Sequence, residues 1–264
     1  MLSALERQAE IAQTTQSAGH VSVSQLSSHF NVTPETIRRD LKALEKRGRL
    51  VRVHGGAVSV SPNHNVEMEY DSNTMVNIDK KKRIAAAAWN RLQQLPQLNA
   101  ITIDSGTTTL EFVRALASGG KTSHTSSMTM ITNSLPVANL TTDYGLTGVH
   151  LVGGRIRPIT RAIVGDQTVR ELQQLRADVA VLGANGLSLN HGCSTPDPSE
   201  AAVKAAMVQS AHKVMVLCDS TKFKKDFLVT FAPLDSIDIV VTDSGVIPQH
   251  YEILESLGIE VVVA

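Results

Sequence analysis

Residues 105–109 have the types and spacing of an anion-binding turn. Small hydroxyl residues surround a glycine in Ser105-Gly106-Thr107-Thr108-Thr109, between the apolar run ITID and the helix-like segment LEFVRAL. Backbone N–H groups and hydroxyls converge in such a turn, and the helix dipole favours a phosphate or carboxylate there. Ordinary capping of the helix by Thr107 or Thr108 is the alternative for this loop taken alone.

A second segment that suits an anionic partner is TPETIRRDLKALEKRG, residues 33–48. Thr33 and Pro34 are typical of a helix start, and Gly48 is typical of a helix end. Apolar residues recur at i, i+4 and i+7, so one face of this helix packs inward. A charged face that is merely solvated is the alternative for this helix alone. The opposite face and its flanks carry Glu35, Thr36, Arg38, Arg39, Lys42 and Lys46.

The charge of the chain is balanced in total but not along its length. Lys and Arg number 25, as do Asp and Glu, among 264 residues, yet residues 1–60 carry eight basic and five acidic side chains. A mildly basic head on a mildly acidic body suits a nucleic-acid-binding module joined to another domain. Aromatic residues make up only 3% of the chain, which argues against stacking platforms for single-stranded nucleic acid.

The cysteine content and the hydropathy indicate the compartment. Cys193 and Cys218 have no metal-type spacing and suggest no disulfide framework, so we expect no metal site and a reducing cytoplasm. The chain contains no run of about 18 apolar residues and no signal-peptide pattern at its start, so no membrane span or membrane partner is expected.

The residues before the basic helix predict two further helices. The first runs from 5 to 15, with Ala9, Ile11 and Ala12 partly inward, and HVSV after it could be a short strand. The second runs to about residue 30 and is capped by Ser22 or Ser24. A tight turn at Asn31-Val32 then leads into the basic helix.

The residues after the basic helix predict a hairpin and then a linker. LVRV and AVSV alternate on either side of His54-Gly55-Gly56, as hairpin strands do. Helix, helix, turn, helix and hairpin is the order of a winged helix-turn-helix, which we assign to residues 1–60. Residues 61–82 are polar without a clear period and form the predicted linker. The lysines at 80–82 are expected at the exposed start of a helix that contains RIAAAAWNRL.

Residues 83–264 alternate apolar β-type segments with helical ones. This alternation predicts an α/β domain with a largely parallel sheet that is buried on both faces. Helices are expected at TTLEFVRALA, SEAAVKAAMVQSA and HYEILESLG. The predicted strands are AITID, MTMIT, VHLVGG, VAVLGA, KVMVLCD, IDIVVTD and IEVVVA.

Polar residues and glycines follow several of these strands, at the edge where ligands of such sheets bind. The segments are Thr132-Asn133-Ser134, Gly153-Gly154, Gly183-Ala184-Asn185-Gly186 and Asp219-Ser220-Thr221-Lys222, and Lys204 lies on the helix that starts near Ser199. Hydroxyls, close-approach glycines and two lysines fit a phosphorylated, hydroxyl-rich small molecule. Neither a Walker A loop nor a G-x-G-x-x-G loop is present, so a nucleotide is not indicated.

The basic helix resembles a known recognition helix. Thr33-x-x-Thr36-Ile37-Arg38-Arg39-Asp40-Leu41 looks like the signature of the DeoR family of bacterial transcription regulators, and Arg7 and Ile11 match its upstream part. Thr15 departs from the aliphatic residue that is usual there, and RLVRVHGGAV resembles the wing of the family. The resemblance continues, in order, through DSGTTT, MITNSLPVANL, LVGGRIRP, DVAVLGANG, EAAVKAAM, VLCDSTKF and IDIVVTD. It implies a sensor fold similar to ribose-5-phosphate isomerase, with a sugar phosphate held by the strand-end loops.

Roles in DNA binding follow for individual residues. Residues in the first turns of the basic helix are expected to reach base edges, and the later cations are expected to contact phosphates. Asp40 is expected to pair with a local arginine and orient it. The predicted DNA-binding residues are Ser24, Thr33, Thr36, Arg38, Arg39, Lys42, Lys46, Arg52 and His54.

The resemblance also implies an effector site. The phosphate is assigned mainly to Ser105–Thr109 and Lys204, and the sugar hydroxyls to Asp104, Asn133, Asn185 and Glu200. Glu200 can equally be the third residue of a helix that starts at Asp197-Pro198. STPDPSEAAVK resembles repressors of sugar-phosphotransferase genes, particularly fructose genes, which points to fructose 1-phosphate or a related ester as effector, with no cofactor. The full predicted set is Asp104, Ser105, Gly106, Thr107, Thr108, Thr109, Asn133, Ser134, Gly153, Gly154, Gly183, Asn185, Glu200, Lys204 and Lys222.

Two functions are compatible with these features. The first is a repressor that binds a double-stranded operator as a dimer or tetramer and is controlled by a sugar phosphate, with release favoured over co-repression. The second is a sugar-phosphate isomerase or deaminase with an added DNA-binding module, which needs a positioned general base. Related isomerases have an acid after the Gly-Ala pair, where this chain has Asn185, while Asp104 and Glu200 are possible bases. A constitutive architectural DNA-binding protein fits poorly with the strand-end loops.

Overall fold

The computed structural model describes residues 4–18, 20–47, 49–53, 55–59, 70–96, 98–119, 128–146 and 148–264. The chain divides into two compact units, Met1–Val76 and Asn77–Ala264. The division falls inside the predicted linker, residues 61–82. Gly48 and His54, for which the sequence predicted a helix end and a DNA contact, lie outside the described residues.

The first unit has the element order of a winged helix-turn-helix, as predicted. Its small sheet has the order β1-β3-β2, and both neighbouring pairs are antiparallel. The elements are α1 (Ala4–Ala18), β1 (His20–Ser22), α2 (Val23–Phe30), α3 (Pro34–Lys46), β2 (Leu50–Val53), β3 (Gly56–Ser59) and α4 (Tyr70–Met75).

Local hydrogen bonds determine where the paired helices begin. Ser22 is the cap of α2, because its hydroxyl accepts from Gln25 N–H at 3.1 Å and the Gln25 side chain accepts from Ser22 N–H at 3.3 Å. Asn31 then adopts a left-handed conformation with φ 51° and turns the chain. The Thr33 hydroxyl accepts from Thr36 N–H at 3.3 Å, ahead of Pro34, and caps α3 as predicted.

The helix α1 contributes a buried face that differs from the prediction at one residue. Ile11 and Ala12 are buried as expected, but Ala9 is exposed. Ala9 is two residues from Ile11, about 200° around a helix, so it points to the opposite side. Thr15 is completely buried, and its hydroxyl donates to the Ile11 carbonyl oxygen at 2.6 Å, which satisfies this unusual polar residue.

Asp40 of α3 pairs with an arginine, but not with a local one. Arg7 Nε donates to Asp40 Oδ2 at 2.6 Å, and Gln8 Nε2 donates to Oδ1 at 2.8 Å. Both partners belong to α1. Asp40 is only 2% exposed, because it lies on the side of α3 that packs inward, next to Leu41 and Leu44. The expected pairing with a local arginine is therefore wrong, and the ion pair joins two helices.

The second unit is an α/β domain around a seven-stranded sheet. The strand order is β15-β14-β12-β9-β4-β5-β6, and every neighbouring pair is parallel. All seven predicted strands belong to this sheet. They are β4 (Ala100–Ile103), β5 (Thr129–Thr132), β6 (Val149–Leu151), β9 (Ala177–Gly183), β12 (Ala211–Leu217), β14 (Ile239–Thr242) and β15 (Glu260–Val263).

Helices and short antiparallel strands complete this unit. The antiparallel strands, which the sequence did not predict, are β7 (Arg155–Arg157), β8 (Ala162–Val164), β10 (Gly186–Ser188), β11 (Gly192–Thr195) and β13 (Val229–Ala232). The helices are α5 (Ile78–Leu92), α6 (Thr107–Ser118), α7 (Leu135–Asp143), α8 (Asp166–Gln174), α9 (Pro198–Gln209) and α10 (Pro248–Ser256). Within the described residues, no helix has the length and apolar character needed to cross a bilayer.

The ion pair between Arg7 and Asp40 gives a test of the first unit. Replacement of Asp40 by alanine should lower the free energy of unfolding by about 3 kcal/mol, because it leaves Arg7 buried without its carboxylate. Urea unfolding of the full chain, followed by circular dichroism, measures this loss. Trp89, the single tryptophan, lies in α5 of the second unit, so its fluorescence should change much less.

The matched control is Glu35→Ala. Glu35 pairs with Arg38 at 2.8 Å on the exposed side of the same helix. Exposed pairs contribute less than about 1 kcal/mol, so this variant should unfold almost like the unaltered chain. Equal losses for Asp40→Ala and Glu35→Ala would contradict the structural role of the buried pair.

Candidate functional site

The outward face of α3 gathers most of the predicted DNA-binding residues. Arg39 and Lys42 are exposed, and Arg38 is exposed while it pairs with Glu35. A concave surface in the first unit is lined by Glu35, Thr36, Arg38, Arg39, Lys42 and Arg52. With four cations and one acid, this surface is positive, and the wing strand β2 contributes Arg52 to it.

The other predicted DNA contacts within the described residues are exposed, and some of them also have structural roles. Lys46 is exposed near the end of α3, and Ser24 is exposed on α2 with its hydroxyl 3.1 Å from that of Ser22. The Thr33 hydroxyl is used by the helix cap. A contact of any of these residues with DNA remains a prediction.

At the carboxyl edge of the parallel sheet, Asp104, Gly183 and Lys204 form one buried network. Asp104 follows β4, Gly183 ends β9, and Lys204 lies on α9. Lys204 Nζ donates to Asp104 Oδ2 and, at 3.0 Å, to the Gly183 carbonyl oxygen. Gly183 N–H donates to Asp104 Oδ2 at 3.1 Å. The ammonium also lies 5.1 Å from the centroid of the Phe231 ring.

The hydroxyl-rich loop after β4 is organised by Thr109. Its hydroxyl accepts from Gly106 N–H at 2.9 Å and lies 2.7 Å from the Gly106 carbonyl oxygen and 2.9 Å from that of Asp104. Gly106 is the residue at the cap of α6, so side-chain capping by Thr107 or Thr108 is not what starts this helix. Thr109 is completely buried, whereas Ser105, Gly106 and Thr108 are partly exposed. These three residues are the accessible part of the loop.

The polar residues after β5 are buried, and only some of their hydrogen-bonding groups have partners among the described residues. Asn133 Nδ2 donates to the Ile163 carbonyl oxygen at 3.1 Å, but in the described part of the chain its Oδ1 has no hydrogen-bond partner. Ser134 caps α7 by accepting from Val137 N–H at 3.3 Å. Asn133 therefore retains an acceptor, while the Ser134 hydroxyl already has a structural role.

Glu200 is engaged by a neighbouring hairpin. Arg157 Nη1 donates to Glu200 Oε1 at 3.1 Å, and the Thr160 hydroxyl donates to the same oxygen. Burial raises the pKa of the Glu200 carboxyl above its ordinary value. Asp197 caps α9 by accepting from Glu200 N–H at 2.9 Å, so Glu200 is the third helical residue, as the alternative interpretation held.

The predicted glycines after β6 are held by α8. Glu171 accepts from Gly153 N–H at 2.9 Å, and the Thr168 hydroxyl donates to the Gly153 carbonyl oxygen at 2.7 Å. A side chain on Gly154 would collide with Thr168 Oγ1. Within the protein, the close approach at these glycines is to α8, and a contact of either glycine with a ligand stays a prediction. Asn185 is partly exposed beyond β9.

At the same carboxyl edge, a lysine of α5 contacts polar residues that follow β12 and β14. Lys80 Nζ lies 2.9 Å from both Asp243 Oδ2 and Ser220 Oγ. Burial acts to raise the pKa of Asp243, but hydrogen bonds from Ser220, Lys80 and Gly245 outweigh it and lower that pKa to about 2. Lys222 is partly exposed near this pair.

Lys81 is a buried residue that the sequence analysis missed. It is 3% exposed, although it was expected at an exposed helix start. Burial and, next, the charge of Lys222 lower its pKa to about 8. Its spacing could have revealed this, because Lys81, Ile84, Ala85 and Ala88 recur at i, i+3, i+4 and i+7 on the buried face of α5.

Comparison with known proteins identifies the family. Residues 7–63 match the DeoR-like helix-turn-helix domain, and residues 76–244 match the DeoR C terminal sensor domain. The chain belongs to the DeoR family. This DeoR-family chain is a DNA-binding transcriptional regulator, as its resemblance implied.

This DeoR-family chain is similar to curated transcriptional regulators over nearly their full lengths. It is 34% identical to the HTH-type transcriptional regulator GlpR of Haloferax volcanii, covering 97% of this chain and 96% of that protein. It is 30% identical to the glycerol-3-phosphate regulon repressor of Escherichia coli, with 90% of each covered. These relatives confirm the prediction of a regulator rather than an enzyme.

Among solved structures, the chain is similar to ribose 5-phosphate isomerase A from Methanocaldococcus jannaschii. The sequences are 19% identical, the TM-score is 0.40, and 56% of each chain is covered.

The buried ammonium of Lys81 gives a pH-dependent test. The native Lys81 pKa of about 8 lies below the ordinary 10.5, so burial of this charge destabilises the fold at neutral pH. Between these two values the native chain loses a proton that the unfolded chain keeps, and stability rises with pH. Lys81→Met should therefore raise the free energy of unfolding at pH 7 by on the order of 2 kcal/mol.

This gain should shrink as the pH rises from 8 towards 10.5. In that range Lys81 of the unaltered chain is deprotonated in the native state, and the cost of burying its charge falls. Urea unfolding followed by Trp89 fluorescence at pH 7 and at pH 9.5 measures both effects. Lys82→Met, at the exposed neighbouring position, is the control and should change little at either pH. A destabilised Lys81→Met variant, or equal shifts for the two variants, would contradict the assigned burial cost.

Proposed function

We propose that this regulator represses genes for sugar uptake or catabolism and that a phosphorylated sugar controls its binding to operator DNA. The observation that carries the proposal is the pairing of two chemistries in one chain. The first unit has an exposed cationic helix face, and the second unit has a sheet edge with polar groups from several strands. The repressor works in the cytoplasm, where it reaches DNA.

The DNA-binding half of the proposal rests on the face of α3. The second helix of a helix-turn-helix pair enters the major groove, and arginines in its first turns can read guanine through O6 and N7. Arg38 and Arg39 occupy those turns, while Lys42 and Arg52 suit contacts with phosphates. Operators of such proteins are paired half-sites, which supports a dimer or tetramer.

The effector half rests on the carboxyl edge of the parallel sheet. The partly exposed residues Ser105, Gly106 and Thr108 surround the positive end of α6, which suits a phosphate. The partly exposed side chain of Asn185 suits a sugar hydroxyl, whereas Asn133 Oδ1 is buried and would need a local opening to reach one. The relative named as the glycerol-3-phosphate regulon repressor supports a small phosphate ester as the class of effector. Fructose 1-phosphate is our first choice, and no cofactor is involved.

The enzymatic alternative is less well supported by this geometry. A general base must reach the proton that it removes. Asp104 is completely buried and bound by Lys204, Gly183 and Thr109, and Glu200 is bound by Arg157 and Thr160. Neither carboxylate is poised to accept a proton from a sugar.

Operator release is the direct test of the proposed function. A DNA sequence selected from a random duplex library by the purified chain would be labelled for fluorescence anisotropy at constant salt. Fructose 1-phosphate, other hexose phosphates and glycerol 3-phosphate would then be titrated beside the unphosphorylated sugars. Release by one phosphate ester, and not by its parent sugar, is expected. Failure of every compound to change the affinity would refute effector control, and consumption of a sugar phosphate would favour the enzyme.

Two substitutions on α3 separate sequence reading from phosphate binding. Arg39→Ala should weaken binding to the selected operator by about 1–3 kcal/mol and relax specificity at one base pair. Lys42→Ala should weaken binding to all sequences alike. It should also reduce the slope of log K against log salt concentration by about one, because about one fewer counterion is released. Anisotropy at several salt concentrations, with selected and scrambled duplexes, measures both.

Arg170→Ala is the control, because Arg170 is an exposed arginine of α8 in the second unit. It should leave operator affinity unchanged. An Arg39→Ala variant with unaltered affinity and unaltered sequence preference would remove Arg39 from the reading face.

A further inference from the structure

The ammonium of Lys204 is already occupied inside the protein. It donates to Asp104 Oδ2 and to the Gly183 carbonyl oxygen, and the face of the Phe231 ring lies 5.1 Å away. The residue is 6% exposed. A phosphate that took Lys204 as its ligand would have to break a buried ion pair and leave the Asp104 carboxylate without its counter-charge beside the bound anion.

The Asp104 carboxylate is in contact with the turn at the start of α6. A side chain built on Gly106 would come within 3.1 Å of Asp104 Oδ1, and Thr109 Oγ1 is 3.3 Å from the same oxygen. Asp104 is completely buried, so water does not screen its charge. An uncompensated carboxylate at this position would repel any anion at the amino end of α6.

Gly183 ties this carboxylate to the next strand. Its N–H donates to Asp104 at 3.1 Å, and its carbonyl oxygen accepts from Lys204 at 3.0 Å. Gly183 ends β9, which lies beside β4 in the sheet, and Asn185 follows two residues later. The pair formed by Asp104 and Lys204 therefore fixes two adjacent strand-end loops to α9.

We infer that Lys204 is a positioning residue: it cancels the charge of Asp104 and holds the loops after β4 and β9, so that an anion can bind at the amino end of α6 without touching Lys204. This inference rests on the proposed function. It assigns the phosphate to the accessible groups of residues 105–108 and removes Lys204 from the set of direct ligands.

Removal of the charges of both Asp104 and Lys204 distinguishes a positioning role of Lys204 from direct contact between Lys204 and the phosphate. Lys204→Met alone leaves the carboxylate uncompensated and should weaken the response of operator binding to fructose 1-phosphate by about tenfold or more. The double variant Asp104→Asn/Lys204→Met removes both charges and should recover the response to within about threefold of the unaltered chain, since the two sites are strongly coupled. If Lys204 were a direct ligand of the phosphate, the double variant would respond as poorly as the single one.

The measurements are anisotropy of labelled operator with fructose 1-phosphate and, in parallel, the shift of the thermal transition of the full chain by the same compound and by inorganic phosphate. Thermal transitions without ligand report whether each variant folds. If Lys204→Met does not fold, recovery of both folding and response in the double variant supports the inference, and recovery of folding without response overturns it.

The response of the unaltered chain distinguishes failure of the proposed phosphate site from failure of the role assigned to Lys204. If it shows neither release nor a thermal shift with these anions, the proposed phosphate site and the inference that rests on it both fail. If it responds and Lys204→Met responds equally, or the double variant folds without responding, the inference alone is wrong.

Discussion

The parallel alignment of the seven-stranded sheet is the constraint on which the second unit depends. Because every neighbouring pair is parallel, the strands all end at one edge, and the residues that follow them are brought together there. The five inner strands are buried along most of their length and leave little room for polar side chains. Asp104, Asn133, Asp219 and Asp243, each of which follows a strand, are buried at this edge.

Burial at the edge requires the carboxylates among these residues to have partners of opposite charge or hydrogen-bond donors. Lys204 compensates Asp104, and Lys80 compensates Asp243, since a buried charge left unpaired costs several kcal/mol. Burial and, next, the charge of Lys222 lower the pKa of Lys81 to about 8, so its buried ammonium has a net cost in stability at neutral pH.

In the first unit, too, a buried charge is paired, while other charges of the same helix are exposed. The ion pair between Arg7 and Asp40 is buried and joins α1 to α3, whereas Arg39 and Lys42 point outward from the same helix. Two arginines of the DeoR-type pattern, Arg7 and Arg39, therefore have opposite tasks. One stabilises the helical core, and the other is available to an anionic partner. A charge in a motif acquires its role from the side of the helix on which it lies.

The sequence by itself determined many of the local elements of this protein. Alternating and 3.6-residue patterns predicted the winged helix-turn-helix, all seven strands of the parallel sheet and the cap at Thr33, because these depend on neighbours within a few residues. The tertiary structure alone decided the strand order, the five short antiparallel strands and the partners of the buried charges. Asp40 finds Arg7 across 33 positions, and Lys204 finds Asp104 across 100. Local propensity carries no information about which distant segments become neighbours, and the order of strands in the sheet decides that.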